Sequence, residues 1–203
     1  MPKKDAQLNL TAALSAGWQA TSKYLGFYLT LAFLIVLFNL IPSVFEVFFD
    51  GSVYTPVVRG IFIALIALVT LGMVRTTIKS VDKKDLSIGE LFHVHLFGKY
   101  IVTAILYLIM FFGGLMLFVV PGLYWGMKYQ FATYLVVDRK LSIAASFEES
   151  ARMVQGHEWD LFAYWLVMIL LNVLGLLMFG IGIVITLPVT LVGYTYLYRQ
   201  LRK

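Results

Sequence analysis

The sequence predicts an all-α, polytopic membrane protein with six transmembrane helices, and three observations lead there. Of the 203 residues, 61% are hydrophobic and only 13% charged, with a mean hydropathy of +0.86. Soluble domains run at about 45–50% apolar and about 25% charged, and a globule of this size has too little interior to hide the excess. A water-soluble globular protein and a disordered chain are both excluded. Six apolar stretches approach the roughly 20 residues needed to cross about 30 Å of hydrocarbon. Nearly all the cations fall on one side of those stretches.

The spans are expected at residues 24–49, 57–80, 98–117, 121–137, 157–179 and 182–198. The first contains Asn39 and Pro42. Gly113 and Gly114 are candidates to end the third early, and Pro121 to sit within the fourth, where neighbouring helices would have to satisfy the freed carbonyl. With both termini inside, 14 of the 16 basic residues are cytoplasmic: Lys3, Lys4, Lys23, Arg75, Lys79, Lys83, Lys84, Lys99, Arg139, Lys140, Arg152, Arg199, Arg202 and Lys203. Arg59 falls outside and Lys128 within a span. The opposite orientation would carry nearly every cation across, so both termini are expected in the cytoplasm. Trp18, Trp159, Tyr24, Tyr100 and Tyr198 fall near the same inner boundary, where amphipathic rings are expected. Residues 1–23 lack the continuous apolar core of a cleavable signal peptide, so the first span is expected to direct insertion.

Cysteine is absent. Disulfides, thiolate nucleophiles, iron–sulfur clusters and cysteine zinc sites are therefore excluded, and redox compartment has no reporter. The net charge of +5 reads first as inner-side lysine and arginine rather than a nucleic-acid surface, since no reading element accompanies it.

The connecting segments suggest a repeat. Leu86-Ser87-Ile88-Gly89-Glu90 resembles Leu141-Ser142-Ile143, and each follows an acidic–basic pair, Asp82-Lys83 or Asp138-Arg139. Ser87 and Glu90 have capping-box spacing. Beyond Ser142, the residues Ile143, Phe147, Ala151 and Val154 share one helical face, with Ser146, Glu149 and Gln155 away from it. That pattern predicts an amphipathic surface helix. Leu10, Leu14, Gly17, Trp18 and Thr21 give a weaker version. Phe112, Gly113, Pro121, Gly126 and Tyr129 recur as Phe179, Gly180, Pro188, Gly193 and Tyr196, all at an offset of 67. The chain is read as one integral membrane domain, 1–203, of three parallel units at about 8–80, 86–137 and 141–201. Each would be a surface helix followed by two spans.

Pro121-Gly122-Leu123-Tyr124, residues 129–138 and residues 141–156 resemble a broad group of bacterial inner-membrane proteins. These include the YciC-like proteins and the membrane domain attached to some glycerophosphodiester phosphodiesterases. The shared pattern is a proline, a tyrosine-rich span, "LVVDR", a surface helix ending in Gly-His, and a tryptophan-rich span. The resemblance covers about the C-terminal half. It implies a six-helix membrane fold in the inner membrane and no particular activity. The phosphodiesterase domain has no counterpart in these residues, so its catalysis is not carried over.

No catalytic constellation is visible. His93 and His95 are two apart and diverge on a helix, and His157 has no second histidine nearby, so a metal site is not expected. Glu148 and Glu149 point about 100° apart, a solvated pair for Arg152 rather than an acid–base couple. Ser146 and Ser150 have no base at helical spacing. Gly122-x-x-x-Gly126 allows close helix approach, within the chain or in a homo-oligomer. It does not form a phosphate loop, because the required lysine and hydroxyl are missing. Lys79, Lys83, Lys84, Lys99, Arg139 and Lys140 would lie near anionic headgroups, each worth about 1 kcal/mol there.

Lys128 stands out. Ten residues before Asp138, it would lie about 15 Å from the inner edge of its span, where an unaided lysine costs at least about 2.5 kcal/mol. It is expected to face the interior, holding an anionic group or a buried polar network, with Asp160 and Glu46 as candidate partners. The favoured reading is a non-enzymatic inner-membrane protein, without cofactor, that serves membrane or envelope integrity through lipid or protein binding. A small transporter with Asn39, Lys128, Gln130 and Asn172 along a path is the alternative, and a membrane-embedded lipid enzyme the third.

Overall fold

The computed structural model describes residues 8–49, 54–84, 96–178 and 182–202. Among the described residues the regular elements are all helices: α1 (Leu10–Lys23), α2 (Leu25–Phe49), α3 (Tyr54–Val81), α4 (Phe97–Leu117), α5 (Val119–Tyr129), α6 (Ala132–Arg139), α7 (Ile143–Val154), α8 (Glu158–Leu177) and α9 (Ile183–Leu201). Four of them, α2, α3, α4 and α8, are long and apolar enough to cross a membrane. The Ser87–Glu90 capping pair, His93, His95, Phe179 and Gly180 lie outside the described residues.

The helices α2, α4 and α8 form the outside. Phe33, Val36, Ile105, Ile109, Ile169 and Leu170 are among their many exposed apolar side chains, a shell suited to hydrocarbon rather than water. Each is followed by a more buried helix. The C-terminal half of α3, most of α6 and most of α9 make the core, around Leu71, Ile78, Leu135, Val136, Val192 and Leu197. The most buried long helix, α9, is also rich in hydroxyls. Thr190, Tyr194, Thr195 and Tyr198 are buried along it, and each is hydrogen-bonded. In a bilayer such groups are cheapest facing protein. Tyr198 is thus a core residue instead of part of an aromatic belt, whereas Trp18 and Trp159 are 59% and 80% exposed.

The hairpins differ from expectation. Gly113 and Gly114 do not end α4, which continues to Leu117. The chain reverses at one extended residue, Phe118 (φ −162°, ψ 152°), whose N–H reaches the Gly114 carbonyl at 3.0 Å. Pro121 then sits in the first turn of α5, where its missing N–H has no helical partner to lose. A Cβ on Gly114 would stand 2.7 Å from the Gly122 Cα, and one on Gly175 2.9 Å from the Ile183 nitrogen. Bare backbone contact closes both hairpins. The paired glycines are offset by 61 (114 to 175) and 60 (122 to 182), not by the 67 of the sequence match.

Two surface helices also shift. In α1 the buried stripe is Ala13, Gly17 and Thr21, with Trp18 off it. These small residues press on α9, and a Cβ on Gly17 or Gly193 would overlap the Val189 or Ala13 carbonyl. In α7 the fully buried positions are Ser146, Ser150 and Val154, so Ser146 faces inward, contrary to the apolar-face reading. Ile143, Phe147 and Ala151 are only half-buried. Small hydroxyls let α7 approach the backbone of α5 and α6, which a phenyl ring would hold away.

Candidate functional site

The expected fourth span is broken. Helix α5 stops at Tyr129 and α6 starts at Ala132, with Gln130 and Phe131 between. A break exposes backbone groups that cannot be left unpaired in a low-dielectric interior. Here Tyr107 of α4, Ser150 of α7 and Gln130 itself meet them, and side chains of α8 and α9 hold the Gln130 amide. The Tyr107 hydroxyl (α4) donates to the Gly126 carbonyl at 3.3 Å. Gln130 Nε2 donates to the Met127 carbonyl at 2.8 Å. The Ser150 hydroxyl (α7) donates to the Lys128 carbonyl at 3.0 Å and accepts from Phe131 N–H at 3.1 Å. Gln130 Oε1 accepts from Trp165 Nε1 (α8) at 2.9 Å and from the Tyr194 hydroxyl (α9) at 2.7 Å. The Phe131 ring stacks on Tyr194 at 4.9 Å, with Tyr134 and Tyr198 around it.

A second polar seam joins α8 to α9. Asn172 donates to the Met168 carbonyl and the Thr190 hydroxyl and accepts from the Thr186 hydroxyl at 3.0 Å, while Tyr164 donates to the Thr190 carbonyl at 2.8 Å. Gln130 and Asn172 are therefore both engaged by protein. Asn39 is exposed and bonds to its own helix at the Ile35 carbonyl.

Charge collects where the C-terminal ends of α3, α6 and α9 converge. Helix α3 ends in a left-handed cap at Lys83 (φ 55°). Lys83 N–H bonds back to the Ser80 carbonyl and Lys84 N–H to the Lys79 carbonyl, which places Asp82 at the mouth of the turn. Helix α6 ends likewise at Lys140 (φ 55°), just after Asp138. Arg199 of α9 spans the two acids. Its Nη2 meets Asp82 Oδ2 at 2.6 Å and its Nη1 meets Asp138 Oδ2 at 2.8 Å. The same Asp138 oxygen accepts from the Tyr198 hydroxyl at 2.8 Å and from Arg202. The two acids singled out at the head of the repeated motif thus share one guanidinium.

Beside this bridge opens a cavity of about 750 Å³. Six cationic side chains line it: Arg75, Lys79, Lys84, Lys140, Arg199 and Arg202. The only acids among its described lining residues are Asp82 and Asp138. Three of the six residues singled out for anionic lipid, Lys79, Lys84 and Lys140, are brought together here; Lys83, Lys99 and Arg139 are not. Arg139 instead pairs with Glu149 at 3.0 Å. The sequence marks Arg75, Arg199 and Arg202 only as residues of the inner side. Their spacing relative to Asp82 and Asp138 carried no sequence signal, because three helices must converge to create the cavity.

Lys128 does not enter the buried network; its backbone carbonyl does. The side chain is half-buried in a groove of about 360 Å³ between α4, α5 and α7, beside Phe147, Glu148 and Arg152. Its Nζ lies 5.5 Å from the centre of the Tyr124 ring and 5.8 Å from that of Tyr129. The residues named as partners are engaged elsewhere. Glu46 pairs with Arg59 at 3.0 Å, and Asp160 accepts from Leu8 N–H at 3.3 Å. The rings stand in for a counter-ion, because a cation is attracted to the electron-rich face of a phenol. Gly122 and Gly126 pack within the chain, against α4 and, for Gly126, also Trp165 of α8.

Compared with known proteins, the chain is 32% identical over 143 residues to uncharacterised proteins of Mycobacterium bovis and Mycobacterium tuberculosis. The match covers 69% of this chain and 44% of each relative, so the chain spans less than half the length of the curated relatives it matches. No family model matches. No solved structure matches either.

Proposed function

We propose that the chain is a six-span, non-enzymatic protein of a bacterial inner membrane, with both termini in the cytoplasm, that supports membrane integrity by holding anionic lipid at the inner leaflet. The observation that carries this reading is the gathering of basic side chains at one end of an otherwise apolar bundle, over the meeting point of α3, α6 and α9. Cations at one boundary of a hydrophobic shell fit the positive-inside rule and would sit against anionic headgroups. In this reading α5 and α6 together make the fourth span, about 30 Å at 1.5 Å per residue, and α9 makes the sixth. Three successive pairs, α2 with α3, α4 with α5–α6, and α8 with α9, each place an outer helix before an inner one, which supports three parallel units. Grouping with the YciC-like proteins rests on the motif residues from Pro121 to Gly156.

The broken α5–α6 helix favours a second reading, a small transporter, since interrupted helices commonly line substrate sites. Against it, the groups freed by the break are taken up by Tyr107, Gln130 and Ser150, which leaves little polar capacity for a substrate. Reporter fusions at residues 53, 84, 118 and 140 are expected to read outside, inside, outside, inside. A cytoplasmic signal at 53 overturns the topology. Ion and lipid flux into proteoliposomes bearing the protein is expected to match that of empty vesicles, and specific flux would favour the transporter.

A further inference from the structure

We propose that the chain forms a symmetric dimer within the bilayer through α2, with Asn39 of each copy hydrogen-bonded to Asn39 of the other. This goes beyond the lipid-holding reading and takes from it only that α2 crosses the membrane. Asn39 lies well inside α2, which runs from Leu25 to Phe49. At 1.5 Å per residue it stands about 21 Å from the start of the helix and about 15 Å from its end. Its side chain is exposed, so at that depth the amide faces hydrocarbon rather than water. Asn39 Nδ2 donates to the Ile35 carbonyl at 2.7 Å, which uses one of its two amide hydrogens. The second hydrogen and Oδ1 have no partner among the described residues. Hydrocarbon offers nothing to replace one, so the amide gains by meeting another polar group.

The residues around Asn39 form a packing seam. Leu25, Leu29, Ala32, Val36, Asn39 and Ser43 follow one another at alternating intervals of four and three residues. That is the heptad spacing of two helices crossing at about 20°. Ala32 is half-buried and the others are exposed, and the small side chains of Ala32, Val36 and Ser43 let two backbones approach closely. The other outer helices carry no such polar group. The exposed positions of α4 from Val102 to Leu117 are apolar or glycine, and those of α8 from Leu166 to Leu177 are apolar. Helix α2 exposes Thr30, Asn39 and Ser43. The Thr30 and Ser43 hydroxyls donate to the Gly26 and Asn39 carbonyls at 2.9 and 3.0 Å, so among these three the unmet donor belongs to Asn39. A second copy fits the seam for two reasons. Copies inserted in the same direction hold Asn39 at the same depth, and a two-fold axis along the membrane normal brings the two amides level. A carboxamide also both donates and accepts, so each Nδ2 can give its second hydrogen to the other copy's Oδ1. A single asparagine in a seam fixes register and copy number in this way.

The test reads energy transfer between donor- and acceptor-labelled full chains in phosphatidylcholine vesicles over a series of protein-to-lipid ratios. Transfer is expected to follow a dimer dissociation curve. Asn39→Leu is expected to weaken association about tenfold, while Asn39→Gln, which keeps a donor and an acceptor, stays within about threefold of the parent. Thr30→Val, whose hydroxyl is already met inside α2, is expected to stay within about twofold. The chain has no cysteine, so Ser43→Cys puts one thiol on the seam and Ile109→Cys puts one on the exposed face of α4. Oxidation by copper phenanthroline should link Ser43→Cys copies into disulfide dimers and leave Ile109→Cys unlinked, a result that stands even if Asn39→Leu does not fold. A parent chain that is monomeric at every ratio overturns the proposal. So do a folded Asn39→Leu that associates as tightly as the parent, and equal linking at the two cysteine positions. The reporter fusions at residues 53 and 84 report separately whether the first hairpin crosses the membrane, so a wrong topology and a monomer give different results.

Discussion

The hydroxyl of Ser150 stands in for one turn of helix: it donates to the Lys128 carbonyl at 3.0 Å and accepts from the Phe131 N–H at 3.1 Å. One side chain of α7 thereby closes the gap between α5 and α6. Ser150→Ala would orphan both groups, and a buried unmet donor or acceptor costs about 1–3 kcal/mol. The variant should lose that much stability in detergent by thermal or chemical unfolding. Glu148→Ala, on the exposed side of the same helix with only a surface pair to Arg152, should change stability by less than about 0.5 kcal/mol. Equal losses would mean that α7 contributes through its charge and not through the break.

Gln130 is the other half of that device. Gln130→Leu keeps the volume but strands Trp165 Nε1, the Tyr194 hydroxyl and the Met127 carbonyl. A loss of roughly 2–4 kcal/mol is expected from several orphaned groups at once. Trp165 emission should shift as its indole loses a partner. Unchanged emission with unchanged stability would show that the amide is dispensable.

Arg199 joins Asp82 and Asp138 through separate nitrogens, a task that needs two arms. Arg199→Lys should therefore fail to rescue Arg199→Met, since a single ammonium cannot span both carboxylates. Arg199→Met is expected to cost up to about 3–5 kcal/mol, because removing one partner strands the others. Adding Asp82→Asn and Asp138→Asn should recover part of it. Full stability of Arg199→Lys would rule out the bridge.

Gly17 and Gly193 set how closely α1 crosses α9. Gly17→Ala puts a methyl against the Val189 carbonyl and should cost about 1–3 kcal/mol through overpacking. Gly26→Ala, with open space at its Cβ, should be neutral or stabilising by up to about 1 kcal/mol. Melting temperatures of the two purified variants decide this, and a stable Gly17→Ala would contradict the close crossing.

Lys128→Met exchanges a cation over two tyrosine rings for a side chain of similar length. With no carboxylate in ion-pair range among the described residues, it should lose no more than about 1 kcal/mol. A loss of several kcal/mol would mean a charged partner that the two rings do not supply.

What the sequence by itself determined is the set of properties carried by consecutive residues. Helical class, the apolar runs of α2, α3, α4 and α8, and the collection of cations at segment ends depend on local composition, because lipid and water sort a chain by stretches of about 20 residues. Asp82 and Asp138 were legible as a recurring element, though not as ligands of one arginine. Tertiary structure alone decided the rest. Asp82 and Arg199 are 117 positions apart, and no periodicity links them. Gln130 and Phe131 interrupt the helix where Tyr107 and Ser150, arriving from two other helices, and Gln130 itself take up the freed backbone groups, while Trp165 and Tyr194 from two more hold the Gln130 amide. Lys128 looked like the buried charge of that span. Packing put its neighbour Gln130 inside and left the lysine at the rim over two rings, since an amide can use both its donor and its acceptor inside a protein while a lone ammonium needs an anion, a ring or water.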